Sequence, residues 1–250
     1  MAEVSGADLL GALTEAYRAV SVVVSELAVD DWARPTRCEG WCVRDVLFHL
    51  MLDPQRALVA FATPSERAAT SDLVAYWRSF RPGTEPAARH ADYVRRASAA
   101  YLRTSDLAED WEEASEAALR AAATAIMAGW AETQVVARTA RRRGREDSAP
   151  MAARVQTQGL VIAVPDFLAT LTVEAALHLL DLTVHLPHPP PVPPAALAIV
   201  RLTLGGLLGT PLPAGWDGET CALKGTGRMP LDGDDRTLLG PAGDRFPLLA

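Results

Sequence analysis

The sequence has little lysine, little cysteine and no long apolar run. Its 250 residues include three cysteines and a single lysine, Lys224. Such a small, odd number of cysteines argues against a disulfide framework. No stretch of 18 or more residues is apolar enough to span a bilayer, and residues 1–8 lack the basic and apolar segments of a signal peptide. We therefore expect a cytoplasmic protein that has no membrane partner.

Positive charge is also in the minority. The chain carries 24 Lys and Arg against 31 Asp and Glu, which gives a formal net charge of −7. Sequence-independent binding of nucleic acid depends on neutralising phosphates, so no nucleic-acid partner is expected. Hydrophobic residues make up 49% of the chain, enough for a sizeable core. The preference for arginine and alanine is typical of a GC-rich genome, such as those of actinobacteria.

Apolar residues at helical spacing predict a mainly α protein. About four long helices should form a bundle within residues 1–190, followed by a small cap over 191–250. A proline-rich linker, residues 187–194, separates the two parts. Pro54 should end or kink the second helix, and the glycine- and proline-rich segment from Gly215 onward predicts a small α+β element. The predicted helices are Asp8–Leu27, one from Trp41, a short one around Leu73–Phe80, Asp106–Ala140, Asp166–Leu186 and Ala195–Leu208.

A carboxylate and an imidazole on one helix face form the strongest local signal. Glu174 and His178 are four residues apart, which on a helix brings their Cβ atoms within about 5–6 Å. Their neighbours are apolar, an expensive environment for an unpartnered carboxylate. Asp181 follows three residues later and is placed to fix the tautomer of His178. Taken alone, the pair is common in helices, and a core histidine beside a solvated glutamate is the favoured interpretation.

A second histidine favours a metal site. His49 lies in the second helix among Val46, Leu47 and Leu50 and is expected to point inward. Two histidines and one carboxylate from two helices are a usual metal geometry in bundles, and three ligands leave a coordination position open, as in catalytic zinc sites. Zinc fits this set, and so does iron or another divalent transition metal.

Two segments together resemble a known family. The first opens with a tryptophan, continues through Pro-Thr, a cysteine and Gly-Trp, and ends on a helix with His-Leu; the second is a Glu-x-x-x-His helix. The chain resembles the mycothiol-dependent maleylpyruvate isomerase-like family, part of the DinB-like superfamily of metal-binding four-helix bundles. Residues 223–231 also resemble the small cap of many relatives, whereas residues 65–165 match no motif and are expected to line the substrate pocket. The matching residues are Trp32, Pro35, Thr36, Cys38, Gly40, Trp41, His49, Leu50, Glu174 and His178.

The resemblance implies a DinB-like four-helix bundle with a small C-terminal α+β cap, in which His49, Glu174 and His178 hold the metal. It also implies that the metal, zinc or another divalent ion, activates a low-molecular-weight thiol, which we expect to be mycothiol. The reaction would be S-transfer to, or isomerisation of, a small electrophilic substrate. Among catalytic candidates, Asp181 would orient His178, and Arg228 would anchor a substrate carboxylate through its planar guanidinium, although a structural role fits Arg228 equally.

Other interpretations stay open. A metal enzyme could act without a thiol, in hydrolysis, elimination or cyclisation. A non-catalytic metal-binding protein would instead have a closed four-ligand site, with a fourth ligand from Cys38 or from the middle segment, residues 65–165. Cys38 and Cys42 otherwise fit ordinary loop residues. His185 and His188 are expected to face solvent in the linker. The basic run 138–145 fits a solvated helix end. The sequence allows a monomer or a homodimer.

Overall fold

Helices account for most of the chain. The computed structural model describes residues 5–80, 83–142 and 153–249, without the side chains of residues 130–142. Two 3-10 helices, Val29–Ala33 and Gly240–Arg245, accompany the α-helices. The α-helices are α1 (Gly6–Glu26), α2 (Val43–Ala62), α3 (Leu73–Arg78), α4 (Glu85–Ser98), α5 (Thr104–Arg142), α6 (Val164–Leu182), α7 (Pro194–Leu208), α8 (Gly218–Gly225) and α9 (Gly233–Leu239).

Four long helices form the bundle. α5 packs between α1 and α2, and α6 contacts the same two helices, so that the four surround one core. Tyr17, Trp111 and Phe167 are among the largest side chains that are fully buried there, and the rings of Tyr17 and Trp111 meet edge to face at 5.2 Å. The prediction of a mainly α four-helix bundle is confirmed.

Local sequence explains where the helices of the bundle begin. Ser5 and Asp8 form a capping box at the start of α1, and Asp45 accepts a hydrogen bond from the backbone N–H of Cys42 at the start of α2. Pro54 does not end α2, which continues to Ala62. Buried residues on both sides of the proline hold the two halves of the helix against the core, and this packing outweighs the lost backbone hydrogen bond.

The two strands lie directly before α6. β1 (Arg154–Thr157) and β2 (Leu160–Ala163) form an antiparallel hairpin, whose turn residues Gln158 and Gly159 both have positive φ. The segment after Gly215, where a small α+β element is predicted, folds as α8, α9 and a 3-10 helix. Asp217 and Asp232 cap α8 and α9, so the glycines in this segment mark helix starts and turns.

The C-terminal cap packs directly onto the bundle. α7 contacts α6 and α1, and α8 packs on α7. The guanidinium of Arg201 on α7 donates to the backbone oxygens of Leu212, Pro213 and Trp216 at 2.8–3.0 Å and so fixes the loop that leads to α8. The buried apolar residues of bundle and cap form one continuous cluster; a domain boundary at residue 190 stays a prediction. None of the helices described here is long and apolar enough to cross a membrane.

Candidate metal centre

Two helices bring the three predicted ligands together. His49 on α2 and Glu174 and His178 on α6 each offer one ligand atom, and these three atoms lie within 4.8 Å of one another. His178 Nε2 is 3.1 Å from Glu174 Oε2, and the rings of His49 and His178 are 4.9 Å apart at 85°. Their role as metal ligands stays a prediction, which this convergence supports.

The charges of the group suit a cation. Burial would raise the pKa of Glu174, yet its hydrogen bond with His178 and the charges of the two histidines lower it to about 2. Burial would lower the pKa of His178, but hydrogen bonds with Asp181, Cys38 and Glu174 raise it well above its usual value. Burial and the charge of His178 lower the pKa of His49 to about 3. The raised pKa of His178 beside the lowered pKa of Glu174 means that this pair stabilises a positive charge, and a bound metal ion would compete with a proton for the same position.

Asp181 backs His178 from the other side of the ring. Its Oδ2 is 2.9 Å from His178 Nδ1, and its side chain is fully buried. Burial would raise the pKa of Asp181, but the hydrogen bonds with Arg228 and His178 hold it well below its usual value. With Nδ1 hydrogen-bonded to a carboxylate, His178 presents Nε2 toward Glu174, which is the arrangement expected of a ligand histidine.

Arg228 reaches this centre from the cap. It follows Gly227, whose positive φ of 73° shapes the turn after α8. Its Nε and Nη2 donate to the two carboxylate oxygens of Asp181 at 2.8 and 2.7 Å, and its side chain is 13% exposed. Arg228 therefore supports Asp181 directly; the anchoring of a substrate carboxylate stays a prediction that depends on its remaining Nη1 group.

Cys38 lies on the same side of His178 as Asp181. Its thiol donates to Asp181 Oδ2 at 3.2 Å and is 3.9 Å from His178 Nδ1. Cys38, His178 and Asp181 thus form a second converging group that shares His178 with the first. The thiol of Cys42 instead donates to Asp45 at 3.2 Å.

With this geometry established, one comparison with known proteins assigns the family. A family model described as the mycothiol maleylpyruvate isomerase N-terminal domain matches residues 13–183. The chain belongs to this family. The match covers both helices that carry the candidate ligands and confirms the predicted resemblance. Comparisons with curated proteins and with solved structures each give no match.

Two residues of this family member that sequence reasoning missed lie beside the centre. His90 on α4 places Nε2 3.1 Å from His49 Nδ1; it belongs to the region without a recognised motif, and only its spacing from Val94 and Ser98 marks it as facing the bundle. Asp53 lies one turn beyond His49 and pairs with Arg56 at 2.7 Å. Burial first, and then the charge of Glu174, raise the pKa of Asp53 to about 7.

The remaining candidates lie elsewhere. His185 is mostly buried, with its Nε2 3.6 Å from Asp31 Oδ1, so the prediction that it faces solvent is wrong; the preceding helix ends at Leu182 and the chain turns back against the 3-10 helix that contains Asp31. His188 is exposed, as predicted. The side chains of the basic run 138–145 lie outside the described residues.

Proposed function

We propose that this chain is a metal-dependent enzyme that uses a low-molecular-weight thiol, most simply mycothiol, for S-transfer to, or isomerisation of, a small electrophilic substrate. The observation that carries the proposal is the convergence of His49, Glu174 and His178 in a member of a family named for a mycothiol-dependent isomerase. Zinc, or another divalent transition metal, would be held by these three side chains.

The residues fit a metal of this kind. Two imidazoles and one carboxylate are a usual donor set for zinc and iron. His178 Nε2 lies 3.1 Å from Glu174 Oε2, and a bound cation would displace a proton held between them. When bound with an open coordination position, a divalent metal would supply the Lewis acidity that lowers the pKa of a thiol. Asp181 would orient His178, and Arg228 would hold Asp181 and offer its free edge to an anionic group of the substrate.

The position of Cys38 favours an open three-ligand site over a closed one. Cys38 faces Nδ1 of His178, whereas Glu174 faces Nε2. Because the two nitrogens point in different directions from one ring, the thiol cannot complete a tetrahedral set with Glu174 on the Nε2 side. A closed, purely structural site completed by Cys38 is therefore the weaker alternative.

Elemental analysis of the purified protein tests the metal. We expect near-stoichiometric zinc in the wild type and its loss in His178→Ala. His188→Ala is the matched control, because His188 is exposed in the linker. A wild type that contains no metal and takes up neither added zinc nor added iron would contradict the proposal.

Thiol dependence is tested on the zinc-loaded protein. Mycothiol should bind to the wild type in a calorimetric titration and fail to bind to His178→Ala, and an electrophilic substrate should be consumed only when the thiol is present. Turnover of a substrate without thiol would favour a hydrolase, lyase or cyclase. The absence of any reaction with any thiol would leave a non-catalytic metal-binding protein.

A further inference from the structure

The two candidate ligand histidines have different partners on their second nitrogen. His178 Nδ1 lies 2.9 Å from the carboxylate of Asp181. His49 Nδ1 lies 3.1 Å from Nε2 of another imidazole, His90. Among the described residues no carboxylate contacts His49 by a hydrogen bond, and its other ring neighbours are Trp41 and His178. His90 is thus the hydrogen-bond partner that fixes the orientation of the His49 ring among the described residues.

Helix α4 is docked so that His90 can do this. Near the C-terminal end of α4, the buried Ser98 hydroxyl donates to Asp45 at the start of α2. One turn earlier Val94 is fully buried, and Tyr93 contacts Phe48 with ring centroids 6.0 Å apart. The two helices therefore run antiparallel along this contact, and the next turn of α4 delivers His90 to His49. The register is set by contacts other than the histidine pair itself.

A hydrogen bond between two imidazoles requires one ring to donate and the other to accept. When His49 donates from Nδ1, its Nε2 lone pair is left for a metal, and His90 accepts at Nε2. The nitrogens of His90 lie outside the converging group of His49, Glu174 and His178. We propose that His90 is a positioning residue: it holds His49 in the Nδ1–H tautomer and fixes its ring so that Nε2 faces the metal. This inference rests on the proposed metal centre.

The choice of an imidazole has a consequence for charge. A carboxylate behind a ligand histidine raises the basicity of that ligand and adds a negative charge nearby. At His178 that charge is compensated by the two hydrogen bonds of Arg228. His90 adds no negative charge at His49, so Glu174 is the single anion of the three-residue ligand set. A divalent metal would then keep a net positive charge, which favours an anionic ligand such as a thiolate at the open position.

The experiment compares zinc affinity and the tautomer of His49 in four proteins: wild type, His90→Ala, His90→Gln and Arg89→Ala. Chelator competition should show about 10–100-fold weaker zinc binding in His90→Ala. His90→Gln keeps a hydrogen-bond acceptor and should recover part of the affinity. Arg89→Ala is the control, because Arg89 is the adjacent residue and is exposed, with Glu85 as its ion-pair partner; its affinity should equal that of the wild type.

Nitrogen-15 NMR of the zinc-loaded proteins supplies a signal that a general loss of stability would not produce. In the wild type, His49 should carry a slowly exchanging proton on Nδ1, and in His90→Ala that proton should exchange quickly while the protein stays folded by circular dichroism. If His90→Ala does not fold, His90→Phe, which fills a similar volume and has no acceptor, carries the same comparison. Wild-type zinc on Nδ1 of His49 would overturn the inference.

The outcomes separate this inference from the proposed function. If the wild type contains zinc, and His90→Ala has the same zinc affinity and the same exchange rate of the His49 Nδ1 proton, the role of His90 is overturned while the metal centre stands. The visible spectra of the cobalt-substituted wild type and His90→Ala can also be compared. A change that indicates one nitrogen ligand fewer in the variant would mean that His90 is itself a ligand, which would also overturn the positioning role. A wild type that binds no metal would remove both proposals.

Discussion

Arg228 and Asp181 are joined by two parallel hydrogen bonds, Nε to Oδ1 at 2.8 Å and Nη2 to Oδ2 at 2.7 Å. The same carboxylate lies 2.9 Å from Nδ1 of His178. A residue of the C-terminal cap is therefore one side chain away from a candidate metal ligand on α6. The cap does more than cover the end of the bundle, because it holds the group that orients His178.

Replacing Arg228 by alanine should destabilise the protein by up to about 3–5 kcal/mol, since the buried carboxylate of Asp181 loses its two guanidinium hydrogen bonds and keeps only those with His178 and Cys38. Urea unfolding followed by circular dichroism measures this change. Arg228→Lys should recover only part of the loss, because an ammonium cannot make the two parallel bonds of a guanidinium. Arg236→Ala, at an exposed position on α9, should stay within about 0.5 kcal/mol of the wild type.

The same Arg228→Ala variant should bind zinc more weakly, because Asp181 is then free to move away from His178. If Arg228→Ala has the same urea midpoint of unfolding and the same zinc affinity as the wild type, the supporting role of Arg228 is contradicted. A folded variant with normal zinc affinity but weakened binding of an acidic substrate would instead support the predicted role as a substrate anchor.

Helical periodicity was enough to predict the part of the centre that lies along single helices. Glu174 and His178 are one turn apart on a helix whose bounds were predicted within a few residues, at Val164–Leu182. Asp181 follows from the same spacing. His49 required only that a second amphipathic helix faces the first. These relationships depend on local sequence, where the 3.6-residue repeat is a direct guide.

Contacts between distant segments could not be predicted in the same way. His90 comes from α4, most of whose residues are exposed, and its approach to His49 depends on how α4 docks against α2. The partner of Arg228 depends on the turn at Gly227. The strand Leu160–Ala163 is a run of four apolar residues, which fits a short strand and the start of a buried helix equally well. Its partner Arg154–Thr157 contains a single apolar residue, Val155, and so gives no clear alternation.

The close packing of α8 on α7 should make Gly218 intolerant of a side chain. A Cβ atom at Gly218 would lie 2.8 Å from Cβ of Leu197, closer than real Cβ atoms approach one another. We expect Gly218→Ala to lower the free energy of unfolding by about 1–3 kcal/mol, as overpacking usually does. The midpoint of thermal unfolding gives a direct measurement.

Gly215→Ala is the matched control for this prediction. Gly215 lies three residues earlier, its φ is not in the positive range, and apart from its two chain neighbours no residue has an atom within 4 Å of the position where its Cβ would be. Gly215→Ala should leave the free energy of unfolding nearly unchanged, or raise it by less than about 1 kcal/mol, because alanine reduces the conformational entropy of the unfolded chain. Equal effects of the two substitutions would show that α8 is not held against α7 at this distance.

Acid should weaken the cap through Asp235. Burial alone would raise the pKa of this carboxyl, but hydrogen bonds from Lys224, the Asp232 backbone and Trp216 hold it below its usual value. Trp216 Nε1 donates to Oδ1 at 2.9 Å. Because the folded-state pKa lies below the unfolded value of about 3.9, the contribution to stability is present above about pH 4 and is lost as the pH falls through the folded-state pKa.

The test compares wild type with Asp235→Asn in urea unfolding at several pH values. The difference in unfolding free energy should be constant near neutral pH and should shrink below about pH 4, because the carboxyl of the unfolded chain is protonated first and that of the folded protein only at lower pH. Asp234→Asn, at the exposed neighbouring position, should show no such trend. A difference that stays constant down to about pH 2 would mean that Asp235 is not held in its ionised form by these partners.

The last prediction separates the two converging groups that share His178. In the first, Glu174 lies 3.1 Å from Nε2; in the second, Cys38 and Asp181 lie 3.9 and 2.9 Å from Nδ1. Asp181 is already committed to Arg228 through both oxygens, and withdrawing it for a metal would leave that guanidinium without its partner. A metal should therefore bind on the Nε2 side, and Cys38 should not be a ligand.

Cobalt-substituted protein makes this visible, because cobalt bound to a thiolate gives an intense near-ultraviolet charge-transfer band that nitrogen and oxygen ligands do not give. We expect no such band in the wild type. Cys38→Ser keeps a donor to Asp181 and should bind zinc with wild-type affinity. Glu174→Gln removes the only ligand carboxylate of the first group and should lose most of the zinc affinity. A thiolate band in the wild type that disappears in Cys38→Ser would show that the metal binds on the Nδ1 side of His178. The sulfur ligand would then be the thiol of Cys38 and not that of a small molecule.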